Sequence, residues 1–281
     1  MDSLQWTVKK KYLLTVYCPL FAIFCPLSTG LMKVKSYSIS DRGRVRNRNE
    51  DAYLADDKAR LYIVADGMGG HVGGDLASRM AVECIREVVL EYDRAHRSKE
   101  NSKYGMEAEL KLTDALKQAN DQIFHESSDR PEYRGMGTTT TSILVQDDTA
   151  TIAHVGDSRA YLMRDGEIRQ ITEDHSWVNE QVKAGFITSE EARTHRLKNV
   201  ITRSLGHEPD VMVDIVRLDL KEDDSYLICT DGLSNMVTDA EIREAVAGHE
   251  PDEALKTLVD LANERGGYDN ITAVLIKVLL N

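Results

Sequence analysis

Asp66, Asp231 and Asp269 each stand beside an apolar run, in LYIVADGMGG, YLICTDGLSN and GGYDNITAVLIKV. An Asp-Gly pair at a strand end sets a carboxylate on a tight turn, with backbone carbonyls in reach. Separate strand ends of one sheet can bring distant carboxylates together. Carboxylates gathered without matching Arg or Lys repel one another. Hard divalent cations such as Mg or Mn, which take oxygen ligands, relieve that repulsion. One Asp-Gly alone is usually an ordinary turn. Three such sites, with Asn49-Glu50-Asp51 upstream, point instead to a metal centre.

Arginines crowd the approach to Glu50. In DRGRVRNR, Arg42, Arg44, Arg46 and Arg48 alternate with other residues, and alternate residues of an extended segment share a face. A guanidinium beside a carboxylate-bound cation suits a phosphoryl group, because its planar fork grips two oxygens. A solvated basic edge accounts for most of the four equally well. GMGTTTTSIL (135–144) and HVGDSRAYLMRDGEI (154–168) are also marked. Asp157 follows Gly156 at a strand end. Arg159 either pairs with a carboxylate and orients it or is simply exposed.

These residues need strands to carry them. Lys35–Ser40, Ala52–Ala55 and Leu61–Ala65 read as strands. Helical spacing from Leu76 to Tyr92 predicts a helix over Asp75–His96, and a second runs from Met106 to Ser127. Thr138–Val145, Thr149–Val155, Ala160–Met163 and Glu167–Ile171 form a meander, with turns at Asp147-Asp148 and Arg164-Asp165-Gly166. The polar stretch from His175 to Ile201 reads as short helices over an exposed face. Met212–Leu218 and Tyr226–Cys229 are strands, Ala240–Ala247 and Asp252–Asn263 helices, and Ile271–Val278 a last strand. Helices come in pairs and strands in runs, unlike the alternation of a doubly wound parallel sheet. The expected class is α+β, with antiparallel sheets stacked on each other in a four-layer α-β-β-α sandwich.

Composition narrows the function. Hydrophobic content of 42%, charged content of 29% and a length of 281 residues suit a soluble globular chain with a sizeable core. A formal net charge of −12 argues against general nucleic-acid binding. Cys18, Cys25, Cys84 and Cys229 form no C-x-x-C pair, and Cys84 and Cys229 read as small buried hydrophobes. A reducing compartment, the cytoplasm, is the expected location. Residues 1–31 differ from the rest: Lys9, Lys10 and Lys11 precede apolar Tyr12–Leu27, which Pro19 and Pro26 break. A membrane anchor or cleaved signal would begin this way, but the stretch is short for a span and its prolines suit no helix. Translation from Met32 is the favoured reading, with 1–31 an extension and 32–281 the domain. Membrane contact follows only if that extension is real.

In order, NED, VADGMGGHxxG, GMGTT, VGDSRAY, TDGL and DNITAVL resemble the metal-dependent type 2C Ser/Thr protein phosphatases in their short bacterial form, over about Met32 to Leu280. Each motif alone is weak; the ordered set is specific. The resemblance implies two stacked antiparallel sheets flanked by helices. It implies that Asp66 bridges two Mn or Mg ions and that the Gly67 carbonyl binds one. Asp231 and Asp269 would ligate the other side, with Glu50 and Asp51 supporting the cluster. Asp157, with Asp231, would hold a third, looser metal. Arg46 matches the phosphate-gripping arginine, Asn270 would orient Asp269, and His175 to Arg203 matches a variable flap. The implied activity is hydrolysis of phosphoserine and phosphothreonine in proteins by metal-activated water, with Arg46, Asp66 and Asp231 catalytic. Phosphorylated proteins, Ser/Thr kinases and kinase substrates are the implied partners, and the chain is expected to be a monomer. Met68 departs from the animal pattern, which has a histidine there as proposed general acid; methionine cannot donate that proton. His71, three residues on, reads as a structural or helix-entry histidine, which leaves the acid unassigned.

Three rival readings share parts of this pattern. An aspartyl-phosphate enzyme needs D-x-D, which ADGMG and TDGLS lack. A non-catalytic module on the same fold predicts lost ligand positions, yet Asp66, Asp231 and Asp269 are all present. A phosphatase acting on an anti-sigma-factor antagonist is not separated from a general phosphatase by the domain sequence, although a fused sensor domain is not expected.

Overall fold

The computed structural model describes residues 32–69, 73–96 and 104–279. Within that range lie the strands β1 (Lys33–Asp41), β2 (Asp51–Asp56), β3 (Leu61–Met68), β4 (Gly137–Thr138), β5 (Thr140–Gln146), β6 (Thr149–Val155), β7 (Arg159–Arg164), β8 (Glu167–Gln170), β9 (Asp214–Asp219), β10 (Ser225–Cys229) and β11 (Ile271–Leu279). The helices are α1 (Gly73–His96), α2 (Tyr104–Asp129), α3 (Trp177–Lys183), α4 (Ser189–Thr194), α5 (Asp231–Ser234), α6 (Asp239–Gly248) and α7 (Pro251–Glu264). One sheet has the order β1-β11-β10-β7-β8. The other runs β2-β3-β5-β6-β9, with β4 also on β3. Every pairing is antiparallel.

The central strands are apolar on both faces, and the period of two sorts their side chains into layers. In β3, Leu61, Ile63 and Ala65 pack with residues of α1 and α2, while Tyr62 and Val64 pack between the sheets. In β10, Leu227 and Cys229 pack with residues of α6 and α7, while Tyr226 and Ile228 face the inter-sheet layer. β11 divides the same way, with Ala273 and Leu275 outward and Val274 and Ile276 inward. The result is the α-β-β-α sandwich that the element order predicts. Each buried aliphatic side chain contributes about 1.5–3 kcal/mol, so three apolar layers hold the strand ends firmly.

Three local expectations change. β3 continues through Asp66 and Gly67 to Met68, because Gly67 and Met68 pair with Thr138 and Gly137. Thr138–Val145 is not one strand; it breaks at Thr139, which keeps the register but gives its N–H to the Asp66 carbonyl at 2.9 Å. The arginine-rich segment is also no strand. It is a loop that bends at Gly43 (φ 76°), so its alternate residues share no face. No helix among the described residues is long and apolar enough to cross a membrane. Residues 1–31 and His71 lie outside the described residues.

Candidate active site

The site lies where the inter-sheet layer turns polar. Asp66 has the same parity on β3 as Tyr62 and Val64, and stands directly across from Asp51 on β2. From the other sheet, Thr230 continues the inward parity of Tyr226 and Ile228. Its hydroxyl donates to Asp51 Oδ2 at 3.0 Å and so ties the sheets together. Asp231 then opens α5, and its Oδ2 accepts from Asn235 Nδ2 at 3.0 Å. Asp269 sits in the loop before β11, where its Oδ1 accepts the Asn270 N–H at 2.8 Å.

Neither Asp66-Gly67 nor Asp231-Gly232 is a tight turn, contrary to the reading of the sequence. The first lies within β3 and the second begins a helix. The glycines are needed for close approach instead. A Cβ on Gly67 would stand 2.0 Å from the Gly74 carbonyl, and one on Gly232 would stand 1.9 Å from the Asn270 carbonyl. Gly74 is equally constrained: its Cβ would meet the Gly67 carbonyl at 2.8 Å and Glu50 Oε2 at 2.9 Å. Two of the expected ligand oxygens therefore converge beside the start of α1.

Electrostatically the cluster is short of positive charge. Loss of water, followed by the nearby carboxylates, pushes the Asp51 carboxyl up to about 7. Burial and then its acidic neighbours raise Asp66 and Asp157 well above the usual carboxylate range. Asp231 is raised by burial and by Asp269. Asp51 Oδ1, Asp157 Oδ1 and Asp231 Oδ1 are buried without a hydrogen-bond partner. Leaving such oxygens unpaired costs about 1–3 kcal/mol each, more when charged. A hard cation, which binds carboxylates, carbonyls and water, fits this donor set. Among the described residues no group of three or more His, Cys, Asp or Glu side chains is poised as it stands to hold a metal ion. The fit is thus to a mixed set that includes the Gly67 carbonyl.

Asp269 does have a cationic partner, distant in sequence: Arg46 Nη2 stands 2.7 Å from Asp269 Oδ2. The Arg46 side chain is 47% exposed, and Nη2 is the nitrogen engaged by Asp269. Arg42 donates instead to the Asn47 carbonyl, at 3.4 Å. Arg159 does pair with a carboxylate, that of Asp174, through Nε at 2.9 Å and Nη2 at 2.7 Å, rather than with Asp157. Met68 is the β3 partner of Gly137.

Several contributors had no signal in the sequence: Thr230, Asn235, Asp174 and Ser78, whose hydroxyl donates to the Glu50 carbonyl at 2.6 Å. Asn270 does more than expected. Its Oδ1 accepts the Glu50 N–H at 2.8 Å, and its Nδ2 donates to the Arg42 and Arg48 carbonyls, each at 2.9 Å. α3 and α4 form in the 175–201 stretch, and a cleft of about 510 Å³ runs between them and Asp157 and Asp231.

The sequence profile of the protein phosphatase 2C family matches residues 42–275. The serine/threonine phosphatase stp of Listeria innocua is 38% identical over 242 residues, 85% of this chain and 93% of that protein. The crystal structure of the Mycobacterium tuberculosis serine/threonine phosphatase PstP/Ppp superposes with a TM-score of 0.79 at 36% identity, covering 89% of this chain and 100% of that one. A structure of the PstP catalytic domain in complex with two manganese ions gives a TM-score of 0.77 at 36% identity, with the same coverage.

Proposed function

The chain belongs to the protein phosphatase 2C family, and from that premise we propose that it hydrolyses phosphoserine and phosphothreonine in proteins, opposing Ser/Thr kinases. One observation carries this reading: strand-end carboxylates of both sheets gather at one edge with three buried oxygens unpaired. Asp66, the Gly67 carbonyl, Asp231 and Asp269 would hold two Mn or Mg ions, with Glu50 and Asp51 supporting them. Asp157 with Asp231 would hold a third. The manganese bound by the PstP domain supports a divalent metal here. When bound, such ions acidify water near neutral pH and offset charge on the phosphoryl oxygens.

The chain's own residues orient the reaction. Asn270 fixes Asp269 through its N–H and holds the loop that carries Arg46. The exposed N–H groups of Arg46 bind two phosphoryl oxygens as the P–O bond to the Ser or Thr oxygen lengthens. Asn235 and Thr230 keep Asp231 and Asp51 turned toward the cluster. Oxygen from water bonds to phosphorus in line as the P–O bond to the alcohol breaks, and the proton the water gives up balances the one the alcohol oxygen takes. No side chain of this chain is assigned to that proton.

Substrates are phosphoproteins, and we place the enzyme in the cytoplasm as a monomer. The test is hydrolysis of phospho-Ser, phospho-Thr and phospho-Tyr peptides with Mn, with Mg and with chelator. Metal-dependent release of phosphate from the Ser and Thr peptides, abolished in a folded Asp231→Asn variant, is expected. Activity that survives chelation, or near-normal activity of Asp231→Asn, would refute it.

A further inference from the structure

We infer that His175 is a positioning residue that locks the Gly156–Asp157 turn to the base of the 175–203 segment, so that Asp157 and one wall of the cleft are held as a unit. The inference rests on the reading of Asp157 as a site carboxylate. His175 is buried, and it meets the turn twice. Its N–H donates to the Gly156 carbonyl at 2.7 Å, and its Nδ1 accepts the Gly156 N–H at 2.9 Å. A ring nitrogen that accepts from a backbone amide carries no proton, so in the neutral ring the proton is on Nε2. Nε2 faces Asp214 Oδ2 at 3.2 Å, and Arg203 Nη1 donates to Asp214 Oδ1 at 2.6 Å while standing 3.0 Å from Nε2. The ring is therefore fixed at both nitrogens.

The same residue closes the segment's base. Thr202 N–H donates to the His175 carbonyl at 2.8 Å, Ser176 bridges to Ile201, and Trp177 N–H donates to the Val200 carbonyl at 2.8 Å. On the other side, the turn is pressed against the site. Gly156 has φ 115°, and a Cβ on it would stand 2.5 Å from the Thr139 Cβ. Thr139 Oγ1 accepts the Asp66 N–H at 3.0 Å and lies 2.8 Å from Ser158 Oγ. A continuous run of contacts thus leads from both ends of the segment, through the backbone and ring of His175, to the Gly156–Asp157 turn and Asp66. His154, with its ring centroid 4.8 Å from that of His175, backs the imidazole from within the core.

The test compares His175→Leu and His175→Asn in the full chain. Asn retains an acceptor near the position of Nδ1, whereas Leu leaves the buried Gly156 N–H without one. Hydrogen exchange, read without metal or substrate, should quicken in His175→Leu at 156–158 and 175–203 together, by about tenfold. The weakest Mn binding seen by calorimetry should weaken by a similar factor. His175→Asn should restore both to within about threefold of wild type. Loosening of one segment alone, or equal behaviour of Asn and Leu, would overturn the inference. Should His175→Leu fail to fold, the wild-type chain decides: an unprotonated His175 Nδ1 and a slowly exchanging Gly156 amide by NMR are expected, and a protonated Nδ1 or a fast amide would contradict it. The exchange and NMR readouts hold whatever the enzyme hydrolyses, so their failure is separable from that of the phosphatase reading.

Discussion

Arg46 is tied at one nitrogen to Asp269, and about half of its side chain is exposed (47%). A guanidinium in that position can hand its free donors to a phosphoryl group without leaving its carboxylate. Arg46→Ala should therefore lower kcat/KM on phosphopeptides by roughly ten- to a hundredfold, the loss of a charge-assisted hydrogen bond worth about 1.5–3 kcal/mol. Mn affinity should change less. Unchanged kinetics would mark Arg46 as surface charge. At this scale the sequence shows the carboxylates, because an Asp beside an apolar run at the edge of a sheet is an unusual use of charge. It does not show what holds them. Thr230 reaches Asp51 across 179 residues, and Asn270 reaches Glu50 across 220. Such pairs follow from the stacking of two sheets, and no local pattern announces them.

Elements place those residues by register. β2 sets Asp51 opposite Asp66, and β10 with β11 brings Thr230 and Asn270 to the same edge from the other sheet. The loop from Arg42 to Asn49 has no ladder to hold it. It relies on the Asn270 amide, which ties its two ends, and on the Arg44 N–H bond to the Gly267 carbonyl at 2.7 Å. Asn270→Ala should cost about 1–2 kcal/mol, since it leaves part-buried backbone groups without the side chain that pairs them. It should also quicken hydrogen exchange across residues 42–50 ahead of global unfolding. Exchange there that matches wild type would show that the loop is held by something else. The strands and long helices were legible from periodicity. The loop was misread as extended because its alternating arginines imitate a strand pattern, whereas Gly43 and the distant Asn270 bend it. The tight-turn reading of Asp-Gly failed for a similar reason: each glycine answers to a backbone packed against it from elsewhere in the fold.

Across the described residues, three apolar layers carry a polar seam at one end, and His154 is the most deeply buried imidazole among them. Burial first, and then the neighbouring His175, push His154 down to about 4. An unfolded histidine titrates near about 6.5, so between those values the unfolded chain binds the additional proton. Stability from this group is complete above about pH 6.5 and is lost as pH falls toward 4, by on the order of 3 kcal/mol. Denaturant melts of wild type and His154→Gln should converge over that window, and a constant difference would contradict it. The N-terminal extension belongs to this scale too. We propose that residues 1–31 add nothing to the domain, so a chain beginning at Met32 should match the full chain in Tm and in phosphopeptide turnover. Peptides from Met1 to Leu31 found in a native membrane fraction would favour an anchored enzyme instead.

The central claim is that carboxylates of both sheets hold the divalent cations at which phosphate esters are cleaved. A crystal structure grown with Mn, with anomalous scattering recorded at the manganese edge, tests it most directly. Two anomalous peaks in bonding contact with the set formed by Asp66, the Gly67 carbonyl, Asp231 and Asp269 are the predicted result. Peaks elsewhere, or none at saturating Mn, would contradict it.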